Sequence, residues 1–325
     1  MGIKVQEEKP KIQHPSPKKM LSRNSKLVLT KIFSFFSVAR GYNVFVIALA
    51  QYLSAIYILA SEKRALDVIL DWRLFLLVMA STFAIASGYI INNFYDAKKD
   101  IINRPKKSYL DRLVSQKTQL QVYFTLNFFS ALFGFIVSWR AALFYSVYIF
   151  IIWLYSHKLK KILFIGNISA SLLAVLPFFG ILLYFKNFYQ VIFAHASFLL
   201  LIILIREMIK DLENIEGDLS NNYQTIPVNF GENFAKKIIS LLLFCTIVPV
   251  YFLINVFDVG YMDIYFYSSY ILLLIFVIKL WKSEGKVDYI KLHFLLKIIL
   301  FAGVICIILI KPNVIENGQK LLLIP

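Results

Sequence analysis

Nine stretches of this chain stay apolar over roughly the 17 to 25 residues a helix needs to cross a bilayer, and that run length limits the possible folds more than any other feature. They fall at about 43–60, 73–95, 118–138, 141–156, 162–185, 188–208, 238–257, 261–281 and 293–310. Hydrocarbon supplies no water to the backbone, so only helices and closed barrels can span it. A barrel is excluded because its strands alternate apolar and polar over about ten residues, whereas these runs are continuous. The composition agrees, with 59% hydrophobic and 17% charged residues in a chain of 325. The expected fold is all-α, a polytopic membrane bundle of about nine transmembrane helices.

The flanks of the spans are strongly basic, and the net charge is +16. With the amino terminus placed inside, 28 of the 35 Lys and Arg fall on the cytoplasmic side and 7 outside. The positive-inside rule then predicts an integral plasma (inner) membrane protein with its amino terminus cytoplasmic and its carboxyl terminus outside. Nucleic acid is a poor partner, since the basic residues sit at span ends rather than on one soluble face. Residues 1–26, rich in Pro and Lys and without an apolar h-region, read as a disordered basic tail. Residues 27–311 form the membrane domain, 312–325 a short tail, and Lys26 to Gly41 an interfacial helix leading into the first span. Cys245 and Cys306 lie in apolar runs and indicate no disulfide, and the four His residues lack zinc spacing.

Outer connections are short, whereas two cytoplasmic ones run long, from about Asp96 to Lys117 and from about Ile209 to Lys237. Long ordered loops in a compact bundle are usually functional. Each opens with an acidic cluster. In the first, Asn92, Asp96 and Asp100 fall within about 80° of helical arc. In the second, taking Asp211 as zero, Glu207 lies near −40°, Asn214 near −60° and Asp218 near −20°, unless Gly217 ends the helix first. Glu213 and Glu216 point elsewhere and are expected to be solvated.

An acidic run at a helix end is commonly just a wetted boundary. Two such runs, each with helical spacing and each opening a long loop on one side, favour a site. Carboxylates stacked at a membrane edge need cations. Oxygen ligands without Cys or His favour Mg²⁺ or Ca²⁺, and Mg²⁺ is typically held by one or two carboxylates plus substrate phosphates. The metal set is then Asn92, Asp96, Asp100, Asp211 and Asp218, with Arg104, Lys106, Lys107 and Lys160 near to offset a diphosphate. A charged mouth on an apolar cavity suits a prenyl diphosphate.

These residues resemble the UbiA superfamily of intramembrane prenyltransferases. Asn92 to Asp100 followed by Asn103-Arg104-Pro105 is similar to its first motif. Arg206-Glu207, Lys210-Asp211, Gly217-Asp218, Thr225-Ile226-Pro227 and Gly231 are similar to its second. Tyr155-Ser156, Lys160 and Gly166-Asn167 resemble its Tyr-to-Lys loop, and Arg40 with Asn43 its approach to the first span. Asn93 and Asn214 depart from the pattern, standing where Asp is common, so each keeps an oxygen ligand and removes a charge. The resemblance implies a central cavity among nine helices and Mg²⁺-dependent transfer of an isoprenoid from its diphosphate. Asp96, Asp100, Asp211 and Asp218 would be catalytic, and Asn92, Arg104, Lys160, Arg40, Asn43 and Tyr155 would hold the diphosphate.

The wording of the second motif most resembles members that prenylate geranylgeranylglyceryl phosphate. A 4-hydroxybenzoate or other aromatic acceptor of the quinone type is the alternative. The rival from another class is an ion-coupled transporter, but its site should lie near the bilayer midplane at broken helices, and these clusters lie at span ends.

Overall fold

The structure, a computed structural model, describes residues 23–311. The basic tail and the carboxyl-terminal tail therefore lie largely outside the described residues. Residues 23–26, assigned to the tail, are the first turn of a helix, Arg23–Val38. That helix buries Ser34 and Val38 and exposes Phe33 and Phe36. Ser34 Oγ donates to the Leu110 carbonyl at 2.7 Å and Ser37 Oγ to Asp111 Oδ1 at 3.0 Å, which fastens it to the short helix Pro105–Asp111.

Nine helices among the described residues have the length and composition to cross a membrane: Gly41–Leu59, Trp72–Asn103, Gln116–Val137, Trp139–Lys161, Ile165–Phe185, Gln190–Glu213, Glu232–Asn255, Gly260–Trp281 and Lys286–Ile310. This is an integral membrane protein. The ends away from the long loops match the sequence reading closely, but five ends on the long-loop side run longer: the second span reaches Asn103, the fourth Lys161 and the sixth Glu213, while the seventh begins at Glu232 and the ninth at Lys286. Hydropathy stops at the first charges, whereas the helical hydrogen-bond ladder does not need an apolar sequence to continue. The extra turns carry the first acidic cluster, and the second as far as Glu213, beyond the apolar stretch on continuous helix.

The second span is the central pillar, packed against the first, third and fourth. Its Leu77, Ala80, Ala84 and Ile90 are buried with Tyr145, Tyr148 and Ile152 of the fourth. A second core joins the sixth span to the last three, through Ile202, Ile205, Phe266, Phe276, Leu292 and Leu296. The ninth span packs on the sixth and also touches the first, which closes the ring. Lipid is as apolar as these side chains, so close packing and polar contacts hold the helices together. Ser81 Oγ donates to Gln51 Oε1 at 2.7 Å, Ser130 Oγ to the Ala80 carbonyl at 2.7 Å and the Tyr145 hydroxyl to the Leu77 carbonyl at 2.9 Å. Such bonds average about 0.6 kcal/mol each.

Candidate active site

A cavity opens where the second, fourth, fifth and sixth spans meet at the end that carries the long loops. Asn92, Asp96, Tyr155, Lys160, Asn167, Glu207, Asp211 and Tyr223 are among the residues that line it. Lys160 Nζ donates to Asp96 Oδ1 at 2.7 Å and to Asn92 Oδ1 at 3.0 Å. Asn92 Nδ2 in turn donates to Asp96 Oδ2 at 2.9 Å. Opposite them, Asn167 Nδ2 donates to Asp211 Oδ2 at 2.6 Å. The Tyr-to-Lys loop can deliver Lys160 because Gly166 follows it closely: a Cβ at Gly166 would lie 2.9 Å from the Lys160 carbonyl oxygen.

The first cluster divides between two pockets. Asn92, Asp96 and Lys99 line the cavity, whereas Asn93, Ala97 and Asp100 line a neighbouring pocket with Asp111 and Gln119. The arc of about 80° that joins Asn92 to Asp100 is wide enough to straddle the wall between them. Asp100, expected among the catalytic and metal-binding residues, lines that neighbouring pocket, whereas Lys99 lines the cavity; Asp218 lines neither. Asn93 is there too, donating to Gln119 Oε1 at 3.5 Å.

The second cluster is not one helix. The sixth span ends at Glu213; the next residue, Asn214, turns its Nδ2 back onto the Lys210 carbonyl at 2.6 Å, and a new helix runs Ile215–Ser220. Gly217 sits in the middle of the new helix rather than ending the old one. Its N–H donates to Asn103 Oδ1 at 3.2 Å, and a Cβ there would come within 2.3 Å of Asn103 Nδ2. The two motifs therefore touch backbone to side chain, which only glycine allows. Asp218, fully buried, meets the Lys99 ammonium from the first motif, and its Oδ2 has no partner. Burial pushes the Asp218 carboxyl pKa up, and Asp96 adds to the rise against the pull of Lys99 and Lys210.

Glu216 is exposed as expected, but Glu213 is a buried strut rather than a solvated residue. Its Oε1 accepts from Arg104 Nη2 at 3.2 Å, and its Oε2 lies 2.7 Å from His293 Nδ1. Arg104, assigned to the diphosphate, is thus engaged away from the cavity lining. Arg40 is too: it adopts a left-handed backbone at φ 48°, and its guanidinium stacks 5.0 Å from the centre of the Tyr89 ring. The Asn43 N–H donates to the Arg40 carbonyl at 2.8 Å.

Tyr223 escaped the sequence reading. Its hydroxyl donates to Asp96 Oδ1 at 2.7 Å, and the Lys99 ammonium lies 4.2 Å from its ring centre. Burial, with the Asp96 charge beside it, pushes the phenol pKa far up. The next residue holds it in place, since the Gln224 N–H donates to the Lys161 carbonyl at 3.0 Å. The available signal was an aromatic set directly among polar residues, Ser220-Asn221-Asn222 before it and Gln224-Thr225 after it.

The donor set suits a divalent oxygen-seeking cation. Asn92, Asp96, Asp211 and Asp218 offer only oxygen, and two of these carboxylates are in contact with lysine ammonium groups. Asp218 Oδ2 and the buried Thr225 hydroxyl, which lines the cavity, have no hydrogen-bond partner. Among the described residues no three Asp, Glu, His or Cys groups cluster tightly enough to hold an ion unaided.

Known proteins resemble this chain in sequence and in fold. The digeranylgeranylglyceryl phosphate synthase of Methanobrevibacter smithii is 27% identical over 223 residues, covering 64% of this chain and 75% of that protein. The enzyme of the same name from Sulfurisphaera tokodaii is 27% identical over 284 residues, covering 83% and 96%. A structure described as that of digeranylgeranylglyceryl phosphate synthase in membranes superposes with a TM-score of 0.63 at 20% identity, covering 86% of this chain and 97% of that one. A UbiA homologue from Archaeoglobus fulgidus bound to GPP and Mg²⁺ does so at 0.62 and 15%, covering 85% and 99%. These two structures establish the fold. The UbiA prenyltransferase family model matches residues 49–299, a region holding both acidic motifs and the lysine loop between them, and the chain belongs to that family.

Proposed function

We propose that the protein catalyses Mg²⁺-dependent transfer of a geranylgeranyl group from its diphosphate to geranylgeranylglyceryl phosphate, at the cytoplasmic side of a plasma membrane it crosses with its amino terminus inside and its carboxyl terminus outside. The observation that carries the reading is the facing of Asn92 and Asp96 against Asp211, with lysines set among them. Relatives named digeranylgeranylglyceryl phosphate synthase support the acceptor, and the Archaeoglobus homologue bound to GPP and Mg²⁺ supports the donor and the metal.

Asn92, Asp96, Asp211 and Asp218 would hold Mg²⁺. Bound there, the metal would neutralise the diphosphate and stabilise the charge it gains as the C–O bond breaks. Lys160, Lys99 and Lys210 add fixed positive charge around the same group, and such preorganised electrostatics is usually the largest catalytic contribution. Tyr155 and Asn167 line the same cavity and would help to orient its contents. The C1–O bond of the prenyl chain breaks with its electron pair leaving on the diphosphate. The acceptor hydroxyl oxygen bonds to C1, and its proton passes to a carboxylate of the site.

The test offers purified protein radiolabelled geranylgeranyl diphosphate with geranylgeranylglyceryl phosphate, 4-hydroxybenzoate or a dihydroxynaphthoate, and resolves the lipid products. Product from the first acceptor alone is expected, absent in chelator and restored by Mg²⁺. Product from 4-hydroxybenzoate alone would overturn the acceptor, and full turnover in chelator would overturn the metal.

A further inference from the structure

Tyr223 belongs to the second long loop, yet its side chain serves the first acidic cluster. After the helix Ile215–Ser220 the chain turns at Asn222, which takes a left-handed backbone at φ 56°. The Tyr223 N–H then donates to the Asp218 carbonyl at 2.9 Å, and the Gln224 N–H to the Lys161 carbonyl at 3.0 Å. Backbone bonds at two successive residues leave the ring little choice of direction, and only 4% of Tyr223 is exposed. The second motif and the Tyr-to-Lys loop hold the residue, and the cavity receives its side chain. The transfer chemistry by itself assigns it no part.

The hydroxyl decides how much of Asp96 is free. A carboxylate offers about four lone-pair positions, two on each oxygen. Oδ1 accepts from Lys160 Nζ at 2.7 Å and from the Tyr223 hydroxyl at 2.7 Å, so both of its positions are taken. Oδ2 accepts from Asn92 Nδ2 at 2.9 Å, which leaves one. That remaining lone pair, on Oδ2, is what Asp96 can give to a cation. Mg²⁺ demands near-ideal octahedral geometry, so a carboxylate that presents one oxygen in one direction suits it better than one free to turn. Without the hydroxyl, Oδ1 regains a lone pair and the carboxylate loses one of the bonds that orient it.

The ring acts on the lysines. The Lys99 ammonium lies 4.2 Å from the ring centre, with that of Lys161 at 5.5 Å and that of Lys160 at 6.0 Å. An aromatic face attracts cations within about 6 Å of its centre. Lys99 is the nearest of the three, and the same ammonium is paired with the fully buried Asp218. Lys99 lines the cavity and Asp218 does not, so the ring helps to keep at the cavity wall a positive charge carried on a flexible stem. One side chain thus reaches both acidic clusters, Asp96 through its hydroxyl and Asp218 through Lys99.

We infer that Tyr223 is a positioning residue of the transfer site: its hydroxyl holds Asp96 so that Oδ2 alone is offered to the metal, and its ring keeps the Lys99 ammonium beside Asp218. This rests on the reading of Asp96 as a Mg²⁺ ligand. The metal site carried by the second span is then complete only with the second long loop seated on the Tyr-to-Lys loop.

Equilibrium dialysis of the full chain in nanodiscs against Mn²⁺ and inorganic pyrophosphate reads metal uptake without turnover. Tyr223→Phe keeps the ring over Lys99 and removes the hydroxyl, and its melting curve should stay close to wild type. It should need about ten-fold more Mn²⁺ for half uptake, the size expected for one hydrogen bond to a charged group. Tyr223→Leu, which removes the ring as well, should need more again. In turnover assays Tyr223→Phe should require correspondingly more Mg²⁺, and saturating Mg²⁺ should bring its kcat back to within about three-fold of wild type. A merely structural role would lower kcat at every Mg²⁺ concentration. Equal uptake by wild type and Tyr223→Phe, or a kcat that excess Mg²⁺ fails to restore, would overturn the role. Wild-type protein that takes up no metal refutes the metal reading itself; normal uptake in wild type with an unaltered Tyr223→Phe refutes this role alone.

Discussion

The two acidic clusters have similar spacing in sequence and are built in different ways. The first rides on a helix that runs unbroken from Trp72 to Asn103, so every side chain keeps the direction its number assigns. The second begins on a helix that stops at Glu213 and resumes at Ile215. On the unbroken helix a small angular difference decides which pocket a residue enters, and Asp96 and Asp100 part company. At the break, angle loses its meaning. Asp218 is brought in beside Lys99 by a new helix held on Asn103, and Glu213 turns into a buried ion pair. Periodicity thus sorts residues within one helix and says nothing across a break.

The largest effect should come from the carboxylates that both constructions deliver to the cavity. Asp96→Asn and Asp211→Asn keep the size and hydrogen-bonding reach of each side chain and remove its charge. Each should lower kcat by about 10²-fold or more, the range for deleting one preorganised electrostatic group. Side-by-side rates with Mg²⁺ saturating would check this, together with a detergent melting curve close to wild type. If only one substitution were damaging, the two clusters would not be acting on one ligand.

A smaller effect, on stability rather than chemistry, is expected at Glu213. Glu213→Ala leaves Arg104 and His293 facing each other without their carboxylate. Breaking a buried ion pair by removing one partner costs about 3–5 kcal/mol, and the low end applies because the Arg104 side chain retains 26% exposure. A clear drop in melting temperature, with the surviving folded enzyme active, would separate Glu213 from Asp211 two residues before it. A large loss of kcat at unchanged stability would instead place Glu213 in the chemistry.

Much of this was legible in the sequence because the strongest signals are local. Run length gives the spans, and Asn92, Asp96, Tyr155, Lys160 and Asp211 reach the cavity from stretches of continuous helix or from the short loop beside Gly166. What was not legible depends on contacts between segments far apart in the chain. Glu213 looked solvated because its partners are Arg104 and His293, which lie 109 and 80 residues away. Arg40 and Arg104 looked like diphosphate ligands because positive charge is visible in sequence, whereas the carboxylate or ring that engages it is not. Tyr223 depends on a loop docking onto Lys161, a backbone contact that leaves no mark in residue type.

The smallest expected effect is the sharpest test of how the unbroken helix divides its residues. Asp100 shares with Asp96 its residue type, its motif and a spacing of one turn, yet lines the pocket formed with Asn93, Asp111 and Gln119. Asp100→Ala should leave kcat and the Mg²⁺ requirement within about two-fold of wild type, because a carboxylate outside the cavity contributes only through long-range charge, which salt screens. Its Mg²⁺ titration should overlay that of wild type, whereas Asp96→Asn shifts to higher concentration. A loss at Asp100 equal to that at Asp96 would mean that the wall between the two pockets opens when diphosphate and metal bind, and that the whole arc from Asn92 to Asp100 serves one site.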